Sequence, residues 1–207
     1  GTMLDQHGFD LWADGYDKSV GLSEEADQYP FAGYRQVLGT IYDRVLSGPH
    51  ARVLDIGFGT AVLTARLYAQ GCEIYGQDFS ARMLAAAQNK MPNARLYLGD
   101  FAAGLAPELT ARQYDAIVAT YSLHHLDDGQ KVAFLRQLQT LLAPGGHILI
   151  GDVAFETLAE LARCRAESGP LWDDDEIYFV AETLRPHLPG LAFTRLSNCA
   201  GVLELGR

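Results

Sequence analysis

The segment at residues 53–61 constrains the fold of this chain more than any other. It reads Val-Leu-Asp-Ile-Gly-Phe-Gly-Thr-Ala, so an apolar run leads into two closely spaced glycines and then into an amphipathic stretch. This order predicts a buried strand, a tight turn and the start of a helix. Because glycine lets the main chain approach a ligand closely, the segment predicts the turn of an α/β protein that binds a nucleotide-like ligand.

Asp55 lies directly before the two glycines and narrows the choice of ligand. A carboxylate at this position would repel a pyrophosphate, whereas it would attract an ammonium or sulfonium group. The turn therefore predicts a ligand that carries positive charge.

The rest of the chain alternates between strand and helix patterns. The predicted strands are 51–56, 72–77, 94–98, 115–121 and 147–153, followed by a closing antiparallel hairpin of 191–196 and 201–205. Helices are predicted at 60–70, 80–91, 128–142, 156–168 and 174–187. Repeated alternation implies a three-layer α/β sandwich with a mostly parallel, seven-stranded sheet. We expect one domain over 1–207, in which two helices within 3–50 form an N-terminal lid on a core of 51–207.

Composition excludes several classes of partner. The chain has 16 Lys and Arg against 26 Asp and Glu, and its basic residues are scattered, which disfavours binding to nucleic acid. No apolar stretch approaches the roughly 20 residues of a membrane span. Cys72, Cys164 and Cys199 are odd in number and far apart, which predicts reduced, buried thiols of a cytoplasmic protein. The expected partner is a small molecule, and the choice between monomer and homodimer stays open.

Two further aspartates follow predicted strands. Asp78 ends the second strand and Asp100 follows the third. The carboxyl ends of parallel strands meet at one edge of the sheet, where ligands bind if the strand order reverses. With Asp55, three carboxylates are therefore expected to line one binding site.

Together these features resemble the class I S-adenosylmethionine-dependent methyltransferases over nearly the whole chain. The first motif of that family is acidic-x-Gly-x-Gly-x-Gly, matched by Asp55, Gly57 and Gly59, with Ala61 in place of the third glycine. Residues 29–34 and 151–157 are similar to a group of small bacterial YrrT-like methyltransferases. The resemblance implies a Rossmann-like fold and S-adenosylmethionine as the cofactor, with S-adenosylhomocysteine as the product.

The resemblance also implies roles for individual residues. Asp55 would hold the ammonium group of the cofactor directly or through water, and the glycine turn would lie against the methionine part. Asp78 would accept both ribose hydroxyls, and Asp100 the adenine amino group. A carboxylate suits two neighbouring hydroxyls because it has two acceptor oxygens. The complete set of cofactor contacts expected is Asp55, Gly57, Gly59, Asp78, Phe79, Asp100, Phe101, Thr120 and Tyr16.

The loop after the fourth strand, residues 120–127, is expected to contact the methyl acceptor. It reads Thr-Tyr-Ser-Leu-His-His-Leu-Asp. Adjacent side chains differ in direction, so at most one histidine faces the site; our catalytic candidates are His125 as a general base and Tyr121 beside it. The alternative is that both histidines bond the backbone of the loop. The expected substrate contacts are Trp12, His124 and Asp152.

Two other groups of residues leave alternatives open. The N-terminal aromatic residues could be core residues or a wall over the ligands, with Trp12 inward and Tyr16 on the cofactor; they are Phe9, Trp12, Tyr16, Tyr29, Phe31 and Tyr34. The acidic run at 173–175 fits the N-terminus of the helix at 174–187 better than a metal site, and no metal is expected.

These patterns predict an enzyme that transfers a methyl group from S-adenosylmethionine to a small acceptor. The chain lacks the Asn/Asp-Pro-Pro-Tyr signature of enzymes that methylate DNA bases or glutamine amides. One alternative is a protein that binds the cofactor without turnover. A less favoured alternative is an NAD(P)-dependent oxidoreductase, whose Gly-x-Gly-x-x-Gly fingerprint would need glycine where the chain has Val62.

Overall fold

The structure, a computed structural model, describes residues 28–48 and 51–207. The first predicted helix, with Trp12 and Tyr16, lies outside these residues. The strands are β1 (Arg52–Ile56), β2 (Glu73–Asp78), β3 (Arg95–Leu98), β4 (Tyr114–Thr120), β5 (Leu142–Phe155), β6 (Phe179–Val180), β7 (Ala192–Arg195) and β8 (Ala200–Gly206). The helices are α1 (Tyr34–Leu46), α2 (Val62–Ala69), α3 (Ala81–Lys90), α4 (Pro107–Thr110), α5 (Asp128–Gln139), α6 (Leu158–Ser168) and α7 (Ala181–Leu184), with a 3-10 turn at Gly169–Leu171.

The strands form one open, mostly parallel sheet in the order β3-β2-β1-β4-β5-β8-β7. Neighbouring strands from β3 to β5 are parallel, whereas β8 runs antiparallel to both β5 and β7. The predicted order of elements and the closing hairpin are confirmed. The short strand β6, which pairs with the end of β5, is an eighth strand that the sequence pattern did not predict.

The sheet reverses its strand order between β1 and β4. From β1 the chain moves outward to β2 and β3, then returns to place β4 on the other side of β1. Connections that leave adjacent strands in opposite directions open a crevice above their carboxyl ends. That crevice lies directly beyond Asp55 and Thr120.

Both faces of the sheet are buried, as the apolar character of the strands predicts. Because side chains alternate along a strand, Val53 faces the layer that contains α1 and α2, while Leu54 faces the layer that contains α5. Two hydrophobic cores result, one on each side of the sheet, and the three-layer arrangement is confirmed.

Gly151 in β5 allows α1 to lie close against the sheet. A Cβ atom at this position would lie 2.3 Å from Cγ1 of Val37 and 3.0 Å from Cδ1 of Ile41. No larger residue fits without moving the helix. The close contact places the first turn of α1, with Tyr34, beside the crevice.

The predicted helix at 174–187 is wrong for most of its length. The structure has a turn at 174–175, the strand β6 and only the four-residue helix α7. The run Ile-Tyr-Phe-Val at 177–180 consists of residues that favour strands. Its backbone is also engaged elsewhere, because Ile177 N donates to the His124 carbonyl at 2.7 Å and the Ile177 carbonyl accepts from Lys131 Nζ at 2.6 Å. These tertiary bonds replace the bonds that a helix would form.

Smaller differences concern the ends of elements. The predicted helix at 128–142 ends at Gln139, and Leu142 already pairs with Tyr114 at the start of β5. The short helix α4 was not predicted. Within the described residues, no helix is both long and apolar enough to cross a membrane.

Candidate functional site

A cavity of about 740 Å³ fills the crevice at the carboxyl ends of β1 to β4. Its volume lies within the range of roughly 300–1,000 Å³ that is typical of small-molecule sites. The structure brings most of the predicted site residues together here. The cavity is lined by Asp55, Gly57, Gly59, Asp78, Phe79, Asp100, Phe101, Thr120, Tyr121, His124 and His125. Trp12 and Tyr16 lie outside the described residues.

The glycine turn requires residues without a side chain. Gly57 has a φ of 72°, and a Cβ atom there would lie 2.7 Å from Cβ of Ser122. Gly59 has a φ of 52°, also in the left-handed region that favours glycine. Ala61, which replaces the third glycine of the motif, has a φ of 60°. The turn therefore keeps a glycine-like backbone at Ala61, at a cost of about 1–2 kcal/mol.

Asp55 is almost completely buried beneath the turn, with 2% of its surface exposed. Its Oδ2 accepts a hydrogen bond of 2.6 Å from the Thr64 hydroxyl, while its Oδ1 is buried and has no hydrogen-bond partner within residues 28–48 and 51–207. Burial raises the pKa of Asp55 to about 7, against the lowering effect of the Thr64 bond, and the charge of Asp78 raises it further. Because buried polar atoms normally have partners, the bare Oδ1 in a cavity wall indicates a place for a donor or cation.

Asp78 ties the glycine turn to the end of β2. Its Oδ2 accepts from the main-chain N–H of Gly59 at 2.8 Å, and its Oδ1 accepts from that of Ser80 at 2.9 Å. Each carboxylate oxygen retains a second lone pair, so the fixed group can accept two further hydrogen bonds from a ligand.

The side of the cavity beyond β3 combines polar and aromatic groups. Asp100 is exposed, and its Oδ1 accepts from Ala102 N at 2.9 Å. Phe79 lies at the rim with 75% of its surface exposed, whereas Phe101 is buried and stacks on Phe134 with ring centroids 5.7 Å apart. Phe79 and Phe101 thus offer a flat group one exposed and one buried aromatic surface.

Both histidines of the loop line the cavity, so the expectation that at most one of them faces the site is wrong, and their surroundings differ. The His125 ring is 5.4 Å from the Phe101 ring, and partial burial, together with the nearby His124, lowers its pKa. His124 lies between two carboxylates, with Nδ1 3.3 Å from Asp152 Oδ1 and Nε2 3.3 Å from Glu176 Oε1. Burial alone would lower the pKa of His124, but these carboxylates outweigh it and raise the pKa. The alternative that both histidines bond the backbone is therefore wrong for His124.

Asp152 lies behind His124 and not at the rim of the cavity, where it was expected. It is fully buried, does not line the cavity, and its Oδ1 also accepts from Val153 N at 2.7 Å. Position 152 belongs to the interior of the long strand β5, which continues to Phe155. The His124 ring therefore lies between Asp152 and the cavity.

Sequence reasoning missed the residues that support His124 from the other side. The second oxygen of Glu176 accepts from the Tyr178 hydroxyl at 2.7 Å, and the hydroxyls of Tyr178 and Tyr29 form a hydrogen bond. Nothing in the local sequence links these residues to the loop at 120–127.

Lys131 is a second residue that was missed, although the sequence held a signal for it. It is buried with 1% exposure, and its amine donates to the carbonyls of Leu126 and Ile177. Burial lowers its pKa to about 8. Lys131 shares one face of α5 with Leu135 and Leu138, and a charge on the apolar face of a helix is a sign of a buried polar contact.

Three aromatic rings form a continuous wall on the side of α1, hereafter the aromatic wall. The ring centroids of Phe31, Tyr34 and Tyr121 are 5.3 to 5.9 Å apart, and all three residues line the cavity. The open alternative of core or ligand wall is thus resolved for Phe31 and Tyr34, which both pack together and face the cavity. Tyr29, in contrast, is buried and stacks on Trp172 at 5.0 Å.

The acidic run at 173–175 does not begin a helix, contrary to the sequence-based interpretation. It forms a turn, in which Asp173 Oδ1 accepts from Asp175 N at 2.9 Å and Asp174 pairs with Arg165 at 3.0 Å. Among residues 28–48 and 51–207, no group of three or more His, Cys, Asp or Glu side chains is arranged to hold a metal ion. The three cysteines are buried free thiols, as predicted.

Comparison with known proteins identifies the family. Residues 53–146 match the family described as a methyltransferase domain. An uncharacterized methyltransferase of Geobacillus kaustophilus (strain HTA426) is 37% identical over 148 residues, which cover 71% of this chain and 66% of the relative. Another, of Geobacillus sp. (strain WCH70), is 35% identical over 77% of this chain and 72% of the relative. The match thus spans about two thirds of the length of these relatives.

The fold is also that of solved methyltransferases. Magnesium protoporphyrin IX methyltransferase from Synechocystis PCC 6803, solved with bound S-adenosylhomocysteine, aligns with a TM-score of 0.68 and 21% identity over 97% of this chain and 94% of its own. At that identity the likeness concerns the fold. Through its sequence relatives, the chain belongs to the methyltransferase family.

Proposed function

We propose that this protein transfers a methyl group from S-adenosylmethionine to a small-molecule acceptor and releases S-adenosylhomocysteine. The observation that carries the proposal is that Asp55 lines the cavity while its Oδ1 is buried without a hydrogen-bond partner among the described residues. The α-ammonium group of the cofactor would supply the missing donor and a neutralising charge. The described residues that line the cavity include Asp78 and Asp100 as well, but no Lys or Arg.

The cofactor fits the order in which the strands present their residues. Asp55 would hold the ammonium group, Gly57 and Gly59 would lie against the methionine part, and Asp78 would accept the ribose hydroxyls. Asp100 would accept from the adenine amino group, with Phe79 and Phe101 on the faces of the ring and Thr120 near the sulfur. Tyr16 remains a predicted further contact.

Bound S-adenosylmethionine would supply a methyl group that is already activated by the positive sulfur. The chain then has to hold the acceptor in line with the carbon–sulfur bond and to keep water out. The wall of Phe31, Tyr34 and Tyr121 would exclude water on one side of the cavity, and Trp12 in the predicted lid would add to it.

His125 is the candidate for a general base. It lines the cavity, and its lowered pKa keeps the imidazole neutral near pH 7, so it could accept a proton from an acceptor. His124 is less suited to this role because its ring nitrogens both face carboxylates. We assign His124 and Asp152 to the positioning of the loop at 120–127, with Tyr121 as an acceptor contact.

Two other functions would use the same cavity. A dinucleotide such as NADH would bring a pyrophosphate next to the buried Asp55, which opposes its binding. A protein that binds the cofactor without turnover would have the same contacts but would form no methylated product. We expect a small-molecule acceptor, with no role for nucleic acid, and either a monomer or a homodimer.

Isothermal titration calorimetry with S-adenosylmethionine, S-adenosylhomocysteine and NADH tests the cofactor. We expect the first two to bind and NADH not to compete. Asp55→Asn should weaken binding by at least about tenfold, since a neutral amide replaces a charge-assisted bond. The exposed Asp174→Asn, outside the cavity, is the matched control and should bind normally. Absence of heat with both sulfur compounds, from folded protein, would falsify the proposal.

Release of S-adenosylhomocysteine in the presence of a broad set of small acceptors tests for turnover. Product formation by the wild type, reduced in Asp55→Asn, would support an enzyme. Cofactor binding without product from any acceptor class would favour the binding protein.

A further inference from the structure

The charges of the cavity restrict the acceptor. Among its described lining residues, the acidic groups are Asp55, Asp78 and Asp100, and the only basic groups are the two imidazoles. His124 already lies between Asp152 and Glu176. Like charges repel, and they do so more strongly in a less polar site than in water. The three carboxylates are already assigned to the cofactor, and an anionic acceptor would find no Lys or Arg partner among the described lining residues, so the charges disfavour an anion.

The ring faces of the aromatic wall also favour a cation over an anion. Its three rings are mutually tilted, by 86° for Phe31 and Tyr34, 54° for Phe31 and Tyr121, and 44° for Tyr34 and Tyr121. One flat ligand ring cannot stack on three tilted faces at once. A compact cation within about 6 Å of one ring centroid, however, interacts with the negative face of that ring and lies near the next.

Tyr121 has a backbone conformation that indicates a constraint at this wall. Its φ is 52°, in the left-handed region, which is rare and strained for a bulky residue. Tyr121 N donates to the Gly151 carbonyl at 2.8 Å, and the neighbouring Ser122 hydroxyl donates to the Ile56 carbonyl at 2.7 Å. These bonds hold Tyr121 in place against the rings of Phe31 and Tyr34.

The position of Tyr34 in the wall is determined by the packing of α1 against β5. Gly151 accepts the Tyr121 bond and also allows the close approach of α1, because any Cβ there would meet Val37. One residue of β5 thus sets the distance between the two tyrosines. The arrangement of the wall therefore follows from the packing of the fold.

We propose that the methyl acceptor is an aliphatic amine, and that the aromatic wall of Phe31, Tyr34 and Tyr121 binds its nitrogen with the alkyl groups attached to it. This rests on the proposed function. In the reaction, the bound ammonium first gives one proton to His125, the candidate general base. The lone pair of the resulting neutral amine then forms the new bond to the methyl carbon, and the carbon–sulfur bond breaks with its electron pair left on sulfur. The positive charge passes from sulfur to nitrogen. A primary or secondary amine then releases one proton to water, and a tertiary amine releases none.

A pair of isosteric probes tests the site. Protein saturated with S-adenosylhomocysteine, whose sulfur is neutral, is titrated with choline and with 3,3-dimethyl-1-butanol, which replaces the nitrogen by carbon. A cation–π contribution of about 0.5–2 kcal/mol corresponds to tighter binding of choline by about 2- to 30-fold. Equal affinities, or absence of choline binding, would overturn the proposal.

Variants of Tyr121 test whether the aromatic wall causes the preference for choline over 3,3-dimethyl-1-butanol. Tyr121→Phe keeps the ring face and should keep the preference for choline, whereas Tyr121→Leu should reduce it. Tyr97→Leu, a partly buried tyrosine on β3 outside the cavity, is the control and should change nothing. A preference that survives Tyr121→Leu in full would place the cation elsewhere and overturn the proposal.

Acceptor chemistry provides a second readout. With radiolabelled S-adenosylmethionine, amines should be methylated in preference to phenols, thiols and carboxylic acids of similar size. Methylation of one of these other classes, with the amines inert, would overturn the amine assignment and leave the methyltransferase intact. Failure to bind S-adenosylhomocysteine at all would instead reject the proposed function itself.

Discussion

The Thr64 hydroxyl donates a 2.6 Å hydrogen bond to Oδ2 of Asp55 and leaves the other oxygen of that carboxylate buried without a partner. Thr64 lies in α2 and Asp55 in β1, so the bond joins the two elements on either side of the glycine turn. It orients Oδ1 in the cavity wall before any ligand arrives. Because the carboxylate is held in this way, little reorganisation is needed when an ammonium group binds.

Cofactor binding should strengthen as the pH rises through about 7. Burial raises the pKa of Asp55 to about 7, so the carboxylate that we propose to pair with the ammonium group is increasingly protonated below that pH. Affinity for S-adenosylhomocysteine should fall by about tenfold per pH unit below the pKa. Calorimetry from pH 5.5 to 8.5 measures this, and Asp55→Asn should flatten the profile. The same slope in that variant would assign the titration to another group.

The stability of the ligand-free protein should show the opposite trend. A carboxyl group with a raised pKa in the folded state stabilises the fold below its unfolded pKa, and this contribution is lost as the pH rises through about 7. The difference in free energy of unfolding between wild type and Asp55→Asn should therefore change across this window. Urea unfolding at pH 5, 6, 7 and 8 measures it; a difference that is independent of pH would contradict the assignment.

Thr64→Val should move the pH profile of binding upward. The Thr64 bond lowers the pKa of Asp55, so removal of the hydroxyl raises that pKa further and weakens binding at pH 7. At pH above 8.5 the affinity should recover toward that of the wild type. Thr60→Val, at the rim of the same cavity but without a side-chain bond to Asp55, is the control. An unshifted midpoint in Thr64→Val would show that the hydroxyl does not control the carboxylate.

Gly57→Ala should destabilise the protein more than Gly59→Ala does. Both residues have positive φ, but a Cβ at Gly57 would lie 2.7 Å from Ser122 Cβ, whereas nothing lies within 4 Å of one at Gly59. Gly59→Ala therefore carries only the conformational cost of about 1–2 kcal/mol, and Gly57→Ala carries the steric clash in addition. Midpoints of urea unfolding compare the two. Equal losses of stability would mean that the loop at 120–127 moves away from a Cβ at position 57 at little cost.

Glu176→Gln should lower the pKa of His124. Burial would lower this pKa by itself, and the carboxylates of Asp152 and Glu176 raise it above the ordinary value. Removal of one negative charge leaves the ring with Asp152 alone. Titration of the imidazole signals by NMR measures the change, with Glu108→Gln on the exposed surface of α4 as the control. An unchanged His124 pKa in Glu176→Gln would show that Nε2 is not paired with Glu176.

The glycine turn and the carboxylate before it could be predicted because the residues that determine them are close together in the sequence. Asp55, Gly57 and Gly59 are close neighbours in the chain, and strands alternate with helices in a pattern that depends on residue type and period. The positions of Asp78 and Asp100 follow from the rule that parallel strands end at one edge. The same reasoning placed Asp152 at that edge, which is wrong because β5 extends three residues beyond it.

The environment of His124 was not predictable in the same way. Glu176 is 52 positions further along the chain, in a segment whose local pattern indicated a helix. Lys131 and His124 hold the backbone of Ile177 through bonds that form only when α5 and the loop are in place. Tertiary hydrogen bonds override the local helix propensity here. For the same reason, the interpretation of the acidic run at 173–175 as the N-terminus of a helix is wrong.

By itself, the sequence determined the family, the parallel sheet and the row of carboxylates at the carboxyl edge of that sheet, because each depends on residues close together or on a short period. The tertiary structure alone decided which histidine is held between carboxylates and which aromatic residues face the cavity. Those outcomes depend on packing between segments far apart in the chain, such as Phe31 and Tyr34 against Tyr121. A spacing rule cannot encode such contacts, since burial and distance arise only when the layers are assembled.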